Sequence, residues 1–260
     1  MTEHDSGAHW AEPFPYERET EDERLLQSVE ELETIGKDAW RIFRIMGEFV
    51  EGFEEMSRVG PAVSVFGSAR VKEDDPAYTL CVETARRLGE AGFGIITGGG
   101  PGIMEAANRG AKLAGVPSVG CNIELPFEQK TNSYVDIGID FRYFFIRKTM
   151  FVKYAQAFVI FPGGYGTMDE LFESLTLIQT GKVRNFPVVI MGMDYWGGLW
   201  DWIREKMAGE GKIAPKDLDL VCFTDSAQEC VDHITARYER RRSMQRERPP
   251  RRPHAEGRDI

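Results

Sequence analysis

The sequence predicts an α/β fold in which helices cover both faces of a parallel sheet, preceded by an N-terminal helical arm. From residue 62 onward, short continuous apolar runs alternate with segments whose apolar residues recur at helical spacing. Three of the apolar runs end in glycine-containing loops, at 67–68, 98–102 and 163–166. Because continuous apolar strands that alternate with helices are typical of a parallel sheet buried on both faces, we expect a Rossmann-like domain.

Strands and helices of this domain are predicted largely in alternation. We predict strands at 63–66, 93–97, 118–123, 141–145, 158–161, 188–191 and 220–223. We predict helices at 78–91, 103–114, 147–155, 168–180, 196–207 and 227–238. Ligands of open parallel sheets bind beyond the carboxyl ends of the strands, so we expect the three glycine loops to meet in one crevice.

Four regions are predicted along the chain. Residues 1–20, rich in Glu, Pro, His and Asp, are expected to form a disordered lead, and residues 241–260 an Arg- and Pro-rich tail. Residues 21–58 form an N-terminal helical extension whose apolar side chains recur at helical spacing. This arm either caps the core or packs on a neighbouring subunit, and residues 60–240 make up the sheet domain.

Composition and charge limit the functions that we expect of this chain. Its 260 residues carry a formal net charge of −10, which argues against binding nucleic acid or an anionic membrane surface. The apolar runs are shorter than the ~20 residues of a membrane span, and no signal peptide opens the chain, so we expect a cytoplasmic protein. No C-x-x-C pair occurs and the four histidines lie outside the glycine loops, so we predict no metal site.

The segment from residue 161 to residue 170 is the most informative part of the sequence. It reads Phe-Pro-Gly-Gly-Tyr-Gly-Thr-Met-Asp-Glu and follows an apolar run that we predict to be a strand. Glycines let the backbone approach a ligand closely, and the helix start that follows offers unpaired N–H groups to an anion. Glu170 lies one turn inside that helix, so the pattern predicts a phosphate site with a carboxylate beside it.

Two familiar phosphate-binding motifs do not fit the glycine loops. The dinucleotide fingerprint G-x-G-x-x-G fails at 98–103, where Ile103 stands in place of the last glycine. A Walker loop fails because no G-K-[ST] sequence occurs. The loops therefore indicate a mononucleotide rather than a dinucleotide.

Three motifs together resemble the Lonely Guy (LOG) family of cytokinin-activating phosphoribohydrolases, whose members are often mislabelled as lysine decarboxylases. The motifs are the glycine loop at 97–105, the pair Arg147-Lys148 and the 162–170 segment, within a resemblance that covers about residues 60 to 240. The resemblance implies hydrolysis of the N-glycosidic bond of adenosine 5′-monophosphate, with or without a prenyl group on N6. The products are the free base, adenine or a cytokinin, and ribose 5-phosphate. It also implies no cofactor, a small-molecule nucleotide substrate, and a homo-oligomer whose subunits share active sites.

The same resemblance implies the residues of the site. Arg147 and Glu170 are the implied catalytic pair, in which Glu170 faces the ribose and Arg147 binds oxygens or neutralises charge on the departing base. The implied substrate-binding residues are Gly67, Ser68, Gly99, Gly100, Phe144, Lys148, Gly163, Gly164, Tyr165, Gly166 and Thr167. Among them, residues 163–167 would hold the 5′-phosphate. Phe144 departs from the family, which usually has a methionine lining the base pocket there.

Three alternatives stay open at the level of sequence. Thr167-x-x-Glu170 matches a capping box, in which Glu170 would only close the helix start. The same fold would also suit a non-catalytic nucleotide carrier or sensor. A pyridoxal-phosphate decarboxylase would need a Schiff-base lysine, and Lys148 is the only lysine adjacent to the site motifs.

Overall fold

A computed structural model describes residues 20–26, 35–125 and 130–246 of the chain. Its centre is a sheet of seven parallel strands in the order β4-β3-β2-β1-β5-β6-β7. The strands are β1 (Ala62–Phe66), β2 (Gly94–Thr97), β3 (Ser118–Ile123), β4 (Ile137–Phe141), β5 (Ala155–Ile160), β6 (Val188–Ile190) and β7 (Val221–Phe223). This arrangement confirms the predicted α/β fold with a parallel sheet.

Helices precede the sheet, connect its strands and cover both of its faces. They are α1 (Glu21–Leu25), α2 (Ile35–Met56), α3 (Pro76–Glu90), α4 (Ile103–Ala114), α5 (Phe144–Tyr154), α6 (Tyr165–Gln179), α7 (Met193–Trp202) and α8 (Ala227–Arg246). α7 continues into a π-helix, Ile203–Ala208, and a 3-10 helix, Pro215–Leu220, precedes β7. Among the described residues, no helix is both long enough and apolar enough to cross a membrane.

The sheet separates two hydrophobic layers, because successive side chains of a strand point to opposite faces. In β1, Val63 and Val65 face the layer covered by α3, α4 and α8, where Leu88 and Ile103 are fully buried. Phe66 faces the opposite layer, which α2, α5 and α6 cover. Burial on both faces explains why the strands are continuous apolar runs in the sequence.

The strand order reverses at β1, and this reversal creates a crevice. β2, β3 and β4 follow on one side of β1, whereas β5, β6 and β7 follow on the other. Just beyond the ends of β1 and β5, two backbone hydrogen bonds still join the two segments. The N–H of Ser68 donates to the carbonyl of Pro162 at 2.9 Å, and the N–H of Phe161 donates to the carbonyl of Phe66 at 2.8 Å. Two glycine loops thus leave the sheet side by side, where folds of this kind bind their ligands.

The predicted strand at 141–145 is wrong. The strand in this part of the chain is β4, which ends at Phe141, and helix α5 begins at Phe144. The aromatic residues of this run have a high strand propensity, but tertiary packing overrides such preferences. Tyr143 is extended and fully buried, and the chain turns from sheet into helix there. As a consequence, Phe144 and Arg147 share the first turn of one helix.

Both ends of the chain differ in part from the predicted regions. α2 is one helix from residue 35 to residue 56, whereas residues 27–34 of the predicted arm lie outside the described residues. The predicted lead lies almost wholly outside them as well. α8 continues to Arg246, into the segment 241–260 that we predict as a tail, and the rest of that segment lies outside the described residues.

Candidate active site

A cavity of about 730 Å³ opens beyond the carboxyl ends of β1, β2 and β5. Such a volume lies within the range of small-molecule sites, about 300 to 1,000 Å³. The lining residues are Phe66, Gly67, Ser68, Ala69, Arg70, Val71, Gly98, Met104, Phe144, Arg147, Pro162, Gly163, Gly164, Tyr165, Gly166, Thr167, Asp169, Glu170 and Tyr195. The three glycine loops therefore meet at one cavity, as the sequence predicts.

The loop after β1 forms one wall of the cavity through Gly67 and Ser68. A Cβ atom on Gly67 would lie 2.5 Å from Ile103 Cγ2, so glycine allows α4 to approach this closely. The Ser68 carbonyl accepts a hydrogen bond from the Ile103 N–H at 3.0 Å, and Ser68 Oγ accepts one from the Arg70 N–H, also at 3.0 Å. These contacts hold the loop against the start of α4.

The loop between β5 and α6 forms another wall and presents a helix start without a side-chain cap. α6 begins after Gly164, and no side chain of the described residues caps it. A Cβ atom on Gly163 would overlap Thr167 Oγ1, so glycine lets the loop fold tightly onto the helix. The Tyr195 hydroxyl donates a hydrogen bond to the Gly163 carbonyl at 2.7 Å. The start of α6 is thus held open at the cavity, an arrangement that favours anion binding.

Glu170 lines the cavity from α6. It is only 7% exposed, and its Oε2 atom has no hydrogen-bond partner among the described residues. Burial raises the pKa of this carboxyl to about 7, although the charges of Lys148 and Arg147 lower it. The capping-box alternative is wrong, because Gly164 is the N-cap and Thr167 lies within the first turn. Buried carboxyls with a raised pKa are concentrated at functional sites.

Arg147 lies in the first turn of α5 and lines the same cavity. A Cβ atom on Gly98 would lie 2.8 Å from Arg147 Nη2, so the glycine leaves space for the guanidinium. The guanidinium carbon lies 5.8 Å from the ring centre of Phe144 and 5.2 Å from that of Phe151. Nε is enclosed and has no hydrogen-bond partner among the described residues. Burial lowers the pKa of Arg147, whereas the charge of Glu170 raises it. Arg147 and Glu170, the predicted catalytic pair, line the same cavity.

Lys148, predicted to bind the substrate, lies outside the main cavity. Its ammonium group pairs with Asp169 and Glu173, at 2.7 Å each, and lies 3.7 Å from Glu170 Oε1. Burial alone would lower the pKa of Lys148, but the hydrogen bonds to Asp169 and Glu173 raise it above the usual value. Lys148 therefore borders the cavity through the carboxylates that surround it.

Gly99 and Gly100, also predicted to bind the substrate, lie behind the cavity wall, and Gly98 lines it instead. Gly99 has a φ of 73°, and a Cβ atom there would overlap Asn122 Oδ1. The Asn132 side-chain amide donates to the carbonyls of Gly99 and Gly100, at 3.1 and 2.9 Å. Both glycines therefore shape the loop that carries Gly98.

A family model described as "Possible lysine decarboxylase" matches residues 104–234, just over half of the chain. The chain belongs to this family. The matched segment includes α5, β5 and α6, so it contains both Arg147 and Glu170.

Curated relatives of this family member are named cytokinin riboside 5′-monophosphate phosphoribohydrolases, which confirms the resemblance to the LOG family. LOG3 of Arabidopsis thaliana is 36% identical over 89 residues, which make up 34% of this chain and 40% of LOG3. A probable LOG4 of Oryza sativa subsp. japonica is 27% identical over 182 residues, which make up 66% of this chain and 76% of that protein. The match therefore spans about two fifths of the length of the Arabidopsis relative.

Solved structures share the fold of the family member at low sequence identity. The molybdenum cofactor carrier protein of Chlamydomonas reinhardtii is 20% identical, with a TM-score of 0.51 over 69% of this chain and 99% of that protein. At such identity the likeness shows the fold alone.

The residues that line the cavity although the sequence reasoning did not place them in the site include Arg70, Met104 and Tyr195. Tyr195 carried a usable signal, because it follows β6 closely and strand ends of such sheets approach the ligand. Met104 lines the cavity from α4, and its sulfur would lie 2.8 Å from a Cβ atom on Gly98. Within the described residues, no group of three or more His, Cys, Asp or Glu side chains is arranged to hold a metal ion.

Proposed function

We propose that this protein hydrolyses the N-glycosidic bond of AMP or of an N6-modified AMP. The products are the free base, adenine or a cytokinin, and ribose 5-phosphate. One observation carries the proposal: Glu170, a buried carboxyl, shares a cavity with Arg147 and the start of α6, and among the described residues nothing pairs with Glu170 Oε2 or caps that helix start. The names of the curated relatives support the same class of reaction.

The start of α6 is the proposed site of the 5′-phosphate. Its unpaired N–H groups and the helix dipole favour a negatively charged group. The exposed Arg70 adds a positive charge at the same cavity. Because the whole chain carries a net charge of −10, these local groups have to supply the attraction for a nucleotide.

Glu170 is proposed to act at the ribose. As the bond between C1′ and the base breaks, positive charge develops on the ribose, and an adjacent carboxylate stabilises it. The carboxylate also orients the attacking water, whose oxygen forms the new bond to C1′, and accepts its proton. With a pKa of about 7, Glu170 is close to the value that favours proton transfer at neutral pH. The base departs with the electron pair of the broken bond and takes up one proton through solvent, which balances the proton that Glu170 accepts from the water.

Arg147 is proposed to bind oxygens of the nucleotide or to neutralise charge on the departing base. Its guanidinium keeps its charge in proteins and offers several donors in a fixed plane. The enclosed Nε lacks a partner among the described residues, and a bound nucleotide would supply an acceptor there. This role requires that α5 hold the guanidinium in one place.

The decarboxylase alternative finds no support at Lys148. A Schiff base forms from a neutral amine, which enzymes obtain by lowering the pKa of a lysine. Lys148 has a raised pKa and is paired with Asp169 and Glu173 outside the main cavity. Lys148 therefore does not fit the role of a Schiff-base lysine in a pyridoxal-phosphate site.

The test of the proposed function is release of the base from AMP and from N6-isopentenyl AMP, followed by chromatography side by side. Glu170→Gln is expected to reduce base release by about a thousandfold while AMP binding is retained. Glu173→Gln is the matched control: Glu173 also pairs with Lys148 but does not line the main cavity, so we expect only the small change that follows from its charge effect on the pKa of Glu170. Wild-type protein that binds AMP without releasing a base would overturn the proposal in favour of a carrier.

We also propose that the protein is a homo-oligomer that associates through α2. One face of α2 packs on the core, where a Cβ atom on Gly52 would lie 2.8 Å from Met150 Cε and 3.2 Å from Phe141 Cε1. Another face exposes a stripe of large apolar side chains, Trp40, Phe43, Met46, Val50 and Phe53, which are between 38% and 71% exposed. Exposed apolar surface of this kind marks an interaction site.

A second copy of α2, packed antiparallel, is the occupant that the charges of this helix favour. Its first half carries Arg41 and Arg44, whereas its second half carries Glu51 and Glu54. A two-fold axis across the stripe would therefore bring opposite charges together at both ends. Phe43→Glu should reduce the mass measured by sedimentation, whereas Leu113→Glu, an equally exposed position on α4, should leave it unchanged.

The cysteines support the cytoplasmic location expected from the sequence. All four are free thiols, and three of them are buried. Disulfides are rare in the reducing cytosol and common in secreted proteins.

A further inference from the structure

The N-terminal arm places two carboxylates at the start of α5. Asp22 Oδ2 accepts a hydrogen bond from the N–H of Phe144 at 3.2 Å. Glu48 Oε2 accepts one from the N–H of Arg142 at 3.1 Å. The residues of each pair are far apart in sequence, so the tertiary fold alone brings the acceptors to this helix start.

These carboxylates are built into the fold. Glu48 is only 6% exposed, and burial raises its pKa although the Arg142 N–H lowers it. Burial likewise raises the pKa of Asp22, against a lowering effect of the Phe144 N–H. Burying carboxylates is costly unless their charge is compensated, and the positive end of a helix dipole provides such compensation.

A third carboxylate, Glu21, links helices α1 and α2 of the arm to Tyr143, the N-cap residue of α5. It pairs with Arg44 of α2 at 2.7 Å and with Arg24 of α1 at 2.9 Å. It also accepts a hydrogen bond from the Tyr143 hydroxyl at 3.4 Å. Asp22, its neighbour in α1, is therefore held in position by contacts to both α2 and the α5 N-cap.

The start of α5 carries side chains that line the cavity. Tyr143, its N-cap residue, makes no side-chain cap, so Asp22 supplies the acceptor for the first N–H of the helix, and Glu48 holds the residue just before the N-cap. Phe144 and Arg147 lie in the first turn that these acceptors hold. The N–H of Arg147 donates to the carbonyl of Tyr143 at 3.3 Å, so a displaced start would displace Arg147 as well.

We infer that Asp22 and Glu48 are positioning residues that fix the direction in which Phe144 and Arg147 face the bound nucleotide. The effect on turnover rests on the proposed function, whereas the effect on the start of α5 does not. A misplacement of about 1 Å at a reacting group is enough to reduce catalysis by two orders of magnitude. The arm of this chain therefore belongs to the site without touching the nucleotide.

The test compares Asp22→Ala with Asp22→Asn, whose side-chain oxygen still accepts the Phe144 N–H. In Asp22→Ala we expect kcat for AMP to fall by about tenfold, AMP affinity to change by less than about twofold, and amide hydrogen exchange at residues 144–147 to accelerate. Asp22→Asn should restore both rate and protection. Glu23→Ala, which removes an exposed carboxylate from the same short helix, is the matched control.

Glu48→Gln and Glu48→Ala repeat the comparison from α2, and thermal unfolding shows that each variant is folded. Unchanged exchange at residues 144–147 in both alanine variants would overturn the inference, whether or not AMP is hydrolysed. Equal impairment of the alanine and amide variants would also overturn it, because charge would then matter instead of the acceptor. Absence of base release by the wild-type protein would refute the proposed function, and the exchange data would still decide the inference.

Discussion

The starts of α5 and α6 lie at the same cavity, but the N-terminal arm closes the start of α5 and the start of α6 is open. Neither helix receives a cap from the side chain of its own N-cap residue. At α5, carboxylates of the N-terminal arm accept N–H groups, whereas the start of α6 lies open at the cavity. The closed start is suited to hold side chains in place, and the open one to receive an anion.

The same contrast separates the two charged residues of the proposed reaction. Arg147 comes from the closed helix start and Glu170 from the open one, and each has a buried atom without a hydrogen-bond partner among the described residues. Such atoms lower the stability of the empty protein and are kept where a ligand will satisfy them. We therefore expect altering the start of α6 to weaken binding of the nucleotide, and altering the start of α5 to reduce turnover.

Among alterations of the two helix starts, closing the start of α6 should have the largest effect. In Gly163→Ala the new methyl group would overlap Thr167 Oγ1, so the loop has to shift away from the proposed phosphate site. We expect the KM for AMP to rise by about thirtyfold in steady-state kinetics, because several charge-assisted hydrogen bonds weaken together. Gly197→Ala is the control, since a Cβ atom there meets nothing within 4 Å. An unchanged KM would contradict the proposal that the start of α6 binds the 5′-phosphate.

Neutralising Glu170 should stabilise the protein, and more so at alkaline pH. Its pKa of about 7 in the folded protein lies above the ordinary glutamate value of 4.5, so its ionisation lowers stability as the pH rises from about 4.5 to about 7. Glu170→Gln should raise the free energy of unfolding by about 2 kcal/mol at about pH 8 and by much less at about pH 5. Urea unfolding at both pH values measures this difference. An equal gain in the free energy of unfolding at the two pH values would show that the pKa of Glu170 is not raised in the folded protein.

Local spacing in the sequence is sufficient to find the open helix start. Gly163, Thr167 and Glu170 act within a single loop and turn, so their pattern is visible along the chain. Arg147 was found through its place in a family motif, although the preceding residues were expected to form a strand. The aromatic run 141–145 favours a strand by propensity, and only the buried packing of Tyr143 reveals the turn into α5.

The closed helix start could not be predicted from the sequence. The contacts of Asp22 with Phe144 and of Glu48 with Arg142 join distant segments, and no periodicity links them. For a similar reason the sequence did not show which glycine of the 98–102 loop lines the cavity: Gly98 lines it, and the position of Gly99 depends on Asn122, which comes from β3. Long-range packing decides these features, and a single sequence does not display it.

The Lys148 ammonium should influence the pH dependence of turnover through the pKa of Glu170. If Glu170 acts in its ionised form, kcat/KM rises with pH through its pKa of about 7. The Lys148 ammonium lowers that pKa, so Lys148→Met should move the acid limb of the profile to higher pH. Lys153→Met, on the exposed side of the same helix, should leave the profile in place. A limb that moves to lower pH would contradict this role of Lys148.

The smallest effect is expected from the hydrogen bond that supports the open start from outside. Tyr195→Phe removes the donor to the Gly163 carbonyl and leaves the aromatic ring in the cavity wall. We expect the KM for AMP to rise by about fivefold with little change in kcat, because one neutral hydrogen bond contributes about 1 kcal/mol. Tyr154→Phe is the matched control: its hydroxyl donates to the Phe53 carbonyl at 3.1 Å, away from the cavity. If kcat fell instead of KM rising, the loop would serve the reacting ribose, and the division between an anion-binding α6 start and a positioning α5 start would fail.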